Sequence, residues 1–569
     1  MMKKSLLIIA LLLSALVVSS QDKYYPHYAS PMDIPMALSA TFAELRSNSF
    51  HAGVDIRTQS VEGKKVYAIG DGYISRISVS PYGYGLALYI THPEGYTSVY
   101  GHLQSFIPEL TTYVRNYQYN HQTYRVNLFP SPTRFPVKKG QLIGYSGNSG
   151  SSSGPHLHFE IRHTKSEKPV NPLFFGYDVP DKNRPDIKGL SIYPQRGAHI
   201  QGSDKASYYA VEELKNGICR LKENDTIAAN GTLAFGILAF DRSEGSTMRN
   251  GPYRYELMAN HEVIFQLECD SFSYDETRYI NSLIDYPRKI SDKQQYLRTL
   301  IAPYNKLSLY NAGNGVLHIS ENDTVDVSFV VEDIVGNRSE VQFTIVGAKP
   351  IYFDREPYPR SYYHVKADGS LNNEIVIGDF AVTTSKGTFD DDVWMKTGTS
   401  ERDDAVSYVY RYGDGTIPAL KKVKIRIKPF PQWSKDSRLF IANIADDGKI
   451  NYLGGKMVDG SMEVSTYTLG EYAVMVDSIA PKIVPHNFKN GQSVATLDTL
   501  KFKITDDNTG VKSYNIYLNN TWVLGQYDAK NNLLYYEFDS KMPKGVISLK
   551  VVVEDNVGNR KEYKAKLEN

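Results

Sequence analysis

The segment Pro155-His156-Leu157-His158-Phe159-Glu160-Ile161 alternates apolar and polar residues along its length. That period of two reads as a β-strand with one face in a core. Residues two apart on a strand share a face. His156 and His158 therefore enter one cavity, with Glu160 on the same face, while Leu157 and Phe159 turn to the core. A fold built round this strand must supply partners for two imidazoles. Far upstream, His51-Ala52-Gly53-Val54-Asp55 offers a third histidine and a carboxylate. Two neutral imidazoles and one carboxylate form the ligand set of a catalytic zinc whose fourth position stays open for water.

The spacing limits how such a site is built. Residues two apart on a strand are separated by about 6.6 Å. Metal–nitrogen bonds are about 2.0 Å, so one ion takes one histidine of the pair and keeps the other as a near neighbour. This suits one ligand and one general acid/base. Four extended residues would span about 13 Å, too far for two ligands of one ion. A bend at Gly53 is expected to bring His51 and Asp55 together.

Further segments extend the pattern: Val66-Tyr67-Ala68-Ile69-Gly70-Asp71-Gly72, Val99-Tyr100-Gly101-His102-Leu103 and Val137-Lys138-Lys139-Gly140-Gln141-Leu142-Ile143-Gly144. With the two histidine motifs, and in this order, they resemble the lysostaphin-type (LytM-like) zinc metallopeptidases over residues 24–178. The resemblance implies an antiparallel β-sheet domain, one zinc ion, and His51, Asp55 and His158 as its ligands. It also implies that His102 and His156 are the non-ligand active-site histidines, which polarise the attacking water and stabilise the oxyanion. His92 precedes Pro93-Glu94-Gly95, a turn signal, and with His163 reads as structural or solvated. The family pattern is interrupted over 108–135 by a segment rich in tyrosine and asparagine. It is either a cover for the active-site groove or a surface excursion.

The chain opens Met1-Met2-Lys3-Lys4 before an apolar run to Leu13, a signal-peptide pattern over residues 1–20. Export to a periplasm, envelope or medium is expected, with no membrane span after signal removal. The net charge of +1 gives no field for nucleic acid. Export permits a disulfide between Cys219 and Cys269, and their pairing stays open.

A chain of 569 residues exceeds what one core supports. Its tyrosine-, valine- and threonine-rich alternating runs favour β structure. Phe329-Val330-Val331-Glu332-Asp333-Ile334-Val335-Gly336-Asn337-Arg338 recurs as Val551-Val552-Val553-Glu554-Asp555-Asn556-Val557-Gly558-Asn559-Arg560. A strand, a Gly-Asn turn and a new strand is hairpin chemistry. Two β-sandwich modules resembling immunoglobulin-like domains are expected, at 189–347 with a helical insertion and at 481–569. A β-rich domain of unassigned type lies between them at 350–478. Asp333, Asp555 and Asp506-Asp507 invite a calcium reading, against the simpler one that they satisfy turn amides.

The fold class is thus all-β and multidomain. The expected activity is hydrolysis of peptide cross-links in peptidoglycan by a secreted zinc endopeptidase. The family also contains non-catalytic scaffolds that activate other wall hydrolases. A third reading makes the β modules the principal part, spacing the peptidase or docking it to an envelope protein.

Overall fold

The computed structural model describes residues 25–569 except 244–247 and 355–356. Residues 1–20, read from the sequence as a signal peptide, lie outside the described residues. The chain is all-β, with short helices as insertions. No helix among the described residues is long and apolar enough to cross a membrane.

The N-terminal part is an eleven-stranded sheet. At its centre the strand His156–His163 runs antiparallel between Val54–Arg57 and Tyr96–Phe106. Leu157, Phe159 and Ile161 are fully buried, packed with Val54, Ile56 and Tyr100. The register sets His158 beside Asp55 on one side and Gly101 on the other. Segment 108–135 packs on the domain and lines a cavity shared with Ser149 and Gly150. It forms a helix, Pro108–His121, whose Leu110, Val114 and Gln118 are buried, and then a strand, Val126–Leu128. That strand pairs with Gly72–Val79.

Residues 186–347 form a twelve-stranded sheet in which the long strand Thr226–Phe240 pairs antiparallel with Asp186–Pro194 and parallel with Arg338–Gly347. Its helical insertion covers Tyr274–Tyr279, Ile280–Leu283 and Tyr286–Asp292. Phe42, Ala43, Phe50 and Ala52, from the N-terminal part, belong to this second core. Phe42 and Phe50 each pack against Phe272 with tilted rings, 5.3 Å between centroids. Cys219 and Cys269 are buried free thiols.

Residues 362–476 form a six- and a five-stranded sheet around one core. Residues 482–568 form two four-stranded sheets around another. This last unit folds back onto the first. Arg115 of the inserted helix pairs with Glu537 at 3.2 Å, Tyr119 donates to Asp539, and Tyr119 packs edge-on against Trp522.

Candidate metal centre

His51, Asp55 and His158 are buried and bring their ligand atoms together. Asp55 Oδ1 is 3.1 Å from His51 Nε2 and 2.8 Å from His158 Nδ1, and the two nitrogens are 3.1 Å apart. His51 lies just ahead of the strand Val54–Arg57, where the chain enters the sheet. The chain bends at Gly53 and His51 and Asp55 meet, as expected, and Gly53 serves the geometry in a second way. A Cβ there would sit 2.2 Å from the Phe159 carbonyl oxygen and 2.7 Å from Glu160 Cγ. Only a glycine lets the two backbones approach this closely.

The outer partners fix each ring. His51 Nδ1–H donates to the Thr41 carbonyl at 2.8 Å, leaving Nε2 as a lone-pair donor. His158 Nε2–H donates to Glu160 Oε1 at 2.7 Å, leaving Nδ1 for the cavity. Arg46 holds Asp55 Oδ2 at 2.7 Å. With both rings neutral, three electron-pair donors face one another, an arrangement relieved by a metal ion or, without one, by a proton on His158. A tetrahedral zinc with bonds near 2.0–2.1 Å would set ligand atoms about 3.3 Å apart. The observed 2.8–3.1 Å needs only a few tenths of opening. The donor set therefore fits zinc, with oriented second partners of the kind metal-binding histidines use.

The electrostatics express the same need. Burial opposes charge at Asp55, but the surrounding imidazoles outweigh it and hold the carboxyl well below its usual range. Burial also pulls His158 down, yet hydrogen bonds and charge from Asp55 and Glu160 lift it to about 9. His51 is lowered by burial.

His102 and His156 stand beside the cluster. Their rings are 4.8 Å apart, centre to centre, and His156 Nε2 is 3.5 Å from Asp55 Oδ1. His102 occupies a bulge, where Leu86 pairs with Leu103 but Leu88 with Tyr100. Its φ is +58°, a left-handed conformation that costs a non-glycine residue energy and recurs at functional sites. His102 Nδ1–H donates to the Ser149 carbonyl at 2.9 Å, and His156 Nδ1–H to the Gly154 carbonyl at 2.8 Å. Each ring thus offers Nε2 as an acceptor. Burial, then the charges of His158 and His156, lower His102 to about 3, so it is neutral at physiological pH.

His92 bonds the Asp71 carbonyl and Ser98 within the core, and exposed His121 stacks on Tyr117. Glu160, read from sequence as a polar neighbour, does more. It is fully buried. Oε1 accepts from His158 and Tyr84, and Oε2 from Arg162 at 2.6 Å and Tyr274 at 3.0 Å. The alternation of His156, His158, Glu160 and Arg162 on one strand face carried that signal. Nothing local to the motifs signalled Tyr274, which comes from the helical insertion of the second unit, or Arg46.

Residues 49–119 and 111–172 match the model of Peptidase family M23, the two matches meeting in the inserted helix. The chain carries an M23, LytM-like peptidase domain. Residues 367–477, which had no assigned type, match a Zu5-like domain. DD-carboxypeptidase/endopeptidase Mpg of Neisseria meningitidis is 29% identical over 146 residues, 26% of this chain and 27% of that protein. Peptidoglycan DD-endopeptidase ShyB of Vibrio cholerae is 32% identical over 111 residues, 20% of each chain. The catalytic domain of lysostaphin from Staphylococcus simulans is 26% identical, with 24% of this chain and 87% of that one aligned at a TM-score of 0.18. The chain thus spans about a quarter of the length of the first curated relatives it matches.

Proposed function

We propose that the protein is an exported zinc endopeptidase that hydrolyses peptide cross-links of bacterial peptidoglycan. The observation that carries this is the convergence of His51 Nε2, Asp55 Oδ1 and His158 Nδ1 beside two further histidines. The relatives named as peptidoglycan endopeptidases supply the substrate class. In this reading those three atoms hold one zinc ion. Zinc brings a bound water to a pKa near 7 and polarises the scissile carbonyl.

The chain's own residues do the rest. Neutral His102 accepts a proton from the attacking water at Nε2, its ring held by the Ser149 carbonyl. His156, held by the Gly154 carbonyl, faces the same space and, carrying at Nε2 a proton taken up from solvent, donates to the developing oxyanion, while His102 passes the water's proton on to the leaving amine. Glu160 and Arg46 keep His158 and Asp55 aimed. The units after the peptidase hold it in place and are the surface on which an envelope partner would dock.

The test is zinc content and release of cross-linked muropeptides for wild type, His158→Ala and His156→Ala. His158→Ala should lose metal and activity. His156→Ala should keep metal and lose activity. Equal activity in all three rules the enzyme out and leaves the scaffold reading.

A further inference from the structure

The units at 186–347 and 482–568 each gather three aspartates at the seam with the preceding part of the chain. The trios are Asp181, Asp241 and Asp333, and Asp477, Asp506 and Asp555. They occupy corresponding places: the entry segment, the end of an early strand, and the recurrent Glu-Asp before the Gly-Asn turn. We propose that the first trio is a binding site for a hard divalent cation, Ca²⁺, which clamps the exit segment of the peptidase to the following unit.

Clustering alone does not make the case, and the second trio shows why. There Thr509 Oγ1 donates to Asp477 at 3.0 Å, and the Thr509 and Gly510 amides approach Asp506. Asp555 is saturated by three turn amides and the Asn559 side chain. Its carboxylates are served by the protein's own donors.

The first trio differs at Asp241. This side chain is only 4% exposed, yet its buried Oδ1 has no hydrogen-bond partner. It lies within the cluster, with one oxygen of each carboxylate less than 4.8 Å from the others. A buried carboxylate oxygen without a donor is costly and rare. Asn250 pairs with Asp241 across an antiparallel bridge, so both side chains stand on one face. Its Nδ2 is spent on Ser243, and its Oδ1 is likewise buried without a partner. An orphan carboxylate oxygen beside two more carboxylates is an environment that suits a hard cation. Asp333 accepts from the turn amides of Val335 and Asn337 and from Asn337 Nδ2 at 2.7 Å, as Asp555 does in its own turn. Asp181 Oδ1 accepts from the Asn183 amide at 2.9 Å, so the trios part only at Asp241. Asn337 Nδ2 also reaches the Asp181 carbonyl at 3.3 Å. The entry segment is thereby already tied to the turn. Burial pushes Asp241 up to about 7, opposed by the Arg242 amide and charge and reinforced by the nearby charges of Asp333 and Asp181. The all-oxygen donor set selects Ca²⁺ here, as the imidazoles select zinc at the other centre.

The test is calorimetric titration of CaCl2 into the zinc-loaded full-length chain in chelator-treated buffer. The expected result is one Ca²⁺ per chain with a Kd on the order of 10⁻⁴–10⁻³ M, as in extracellular modules. Asp241→Asn and the less buried Asp181→Asn should each weaken binding at least ten-fold, whereas Asp506→Asn should leave it unchanged. Asp181→Asn decides if Asp241→Asn does not fold. Absence of Ca²⁺ binding by the wild type, binding retained in Asp181→Asn, or binding abolished by Asp506→Asn overturns the proposal.

Discussion

Glu160→Gln is the sharpest single probe of how the site is held. All four acceptor positions of the carboxylate are in use: His158 and Tyr84 on one oxygen, Arg162 and Tyr274 on the other. An amide presents two N–H donors to one of these pairs whichever way it turns. Arg162, whose side chain is also buried, loses its counter-charge. Removing one partner of a buried ion pair costs about 3–5 kcal/mol. Losing the outer partner of a metal-binding histidine costs about 10–100-fold in metal affinity. The assays are urea unfolding of the metal-free protein and zinc competition against a chromogenic chelator. The pH dependence supplies an internal check. Burial opposes charge at Glu160, but Arg162 and His158 outweigh it and depress its pKa below the ordinary 4.5. Its stabilisation is therefore full above pH 4.5 and fades as the pH falls below that. The gap between wild type and variant should be largest near pH 7 and shrink in acid. A loss under 1 kcal/mol with unchanged zinc affinity would refute this reading of Glu160.

Other perturbations reach the site from elsewhere. Gly53→Ala drives a methyl against the Phe159 carbonyl, so the variant should lose zinc and lower the unfolding midpoint by circular dichroism. Phe272→Ala, in the second unit, unsupports Phe50, next to His51, and Phe42, next to the Thr41 whose carbonyl holds the His51 ring. It should cost about 3–5 kcal/mol in denaturant and reduce zinc occupancy, although residue 272 lies outside the peptidase match. Lys530, from the last unit, donates to the carbonyls of Asn148 and Ser152, flanking Ser149, which holds His102. Lys530→Met should lower kcat several-fold with zinc content unchanged; an unaltered kcat would show that the last unit does not steady that loop.

The site's core was legible because it obeys short-range rules. The strand period at His156–His163 placed both imidazoles on one face, and an antiparallel neighbour brought Asp55 to His158. The recurring Glu-Asp hairpins were legible for the same reason. What escaped the sequence is long-range. Tyr274 reaches Glu160 across 114 residues, and Lys530 reaches Ser152 across 378. The inserted segment 108–135 departed from the family pattern, but its role as a docking helix depends on residues 522–539. The sharing of Phe42 and Phe50 with a second core has no local signature, since an apolar residue does not declare which core will bury it. Gly53 was singled out for the bend it makes, and its close approach to the Phe159 carbonyl, which needs the missing side chain, is set by a strand over a hundred residues away.

The central claim rests on metal-dependent hydrolysis by one bound ion. Purified protein should contain one zinc per chain and release cross-linked muropeptides. Stripping the metal should abolish release, and one equivalent of zinc should restore it. Full activity in metal-free protein, or zinc-loaded protein that leaves every cross-linked muropeptide intact, would contradict the account.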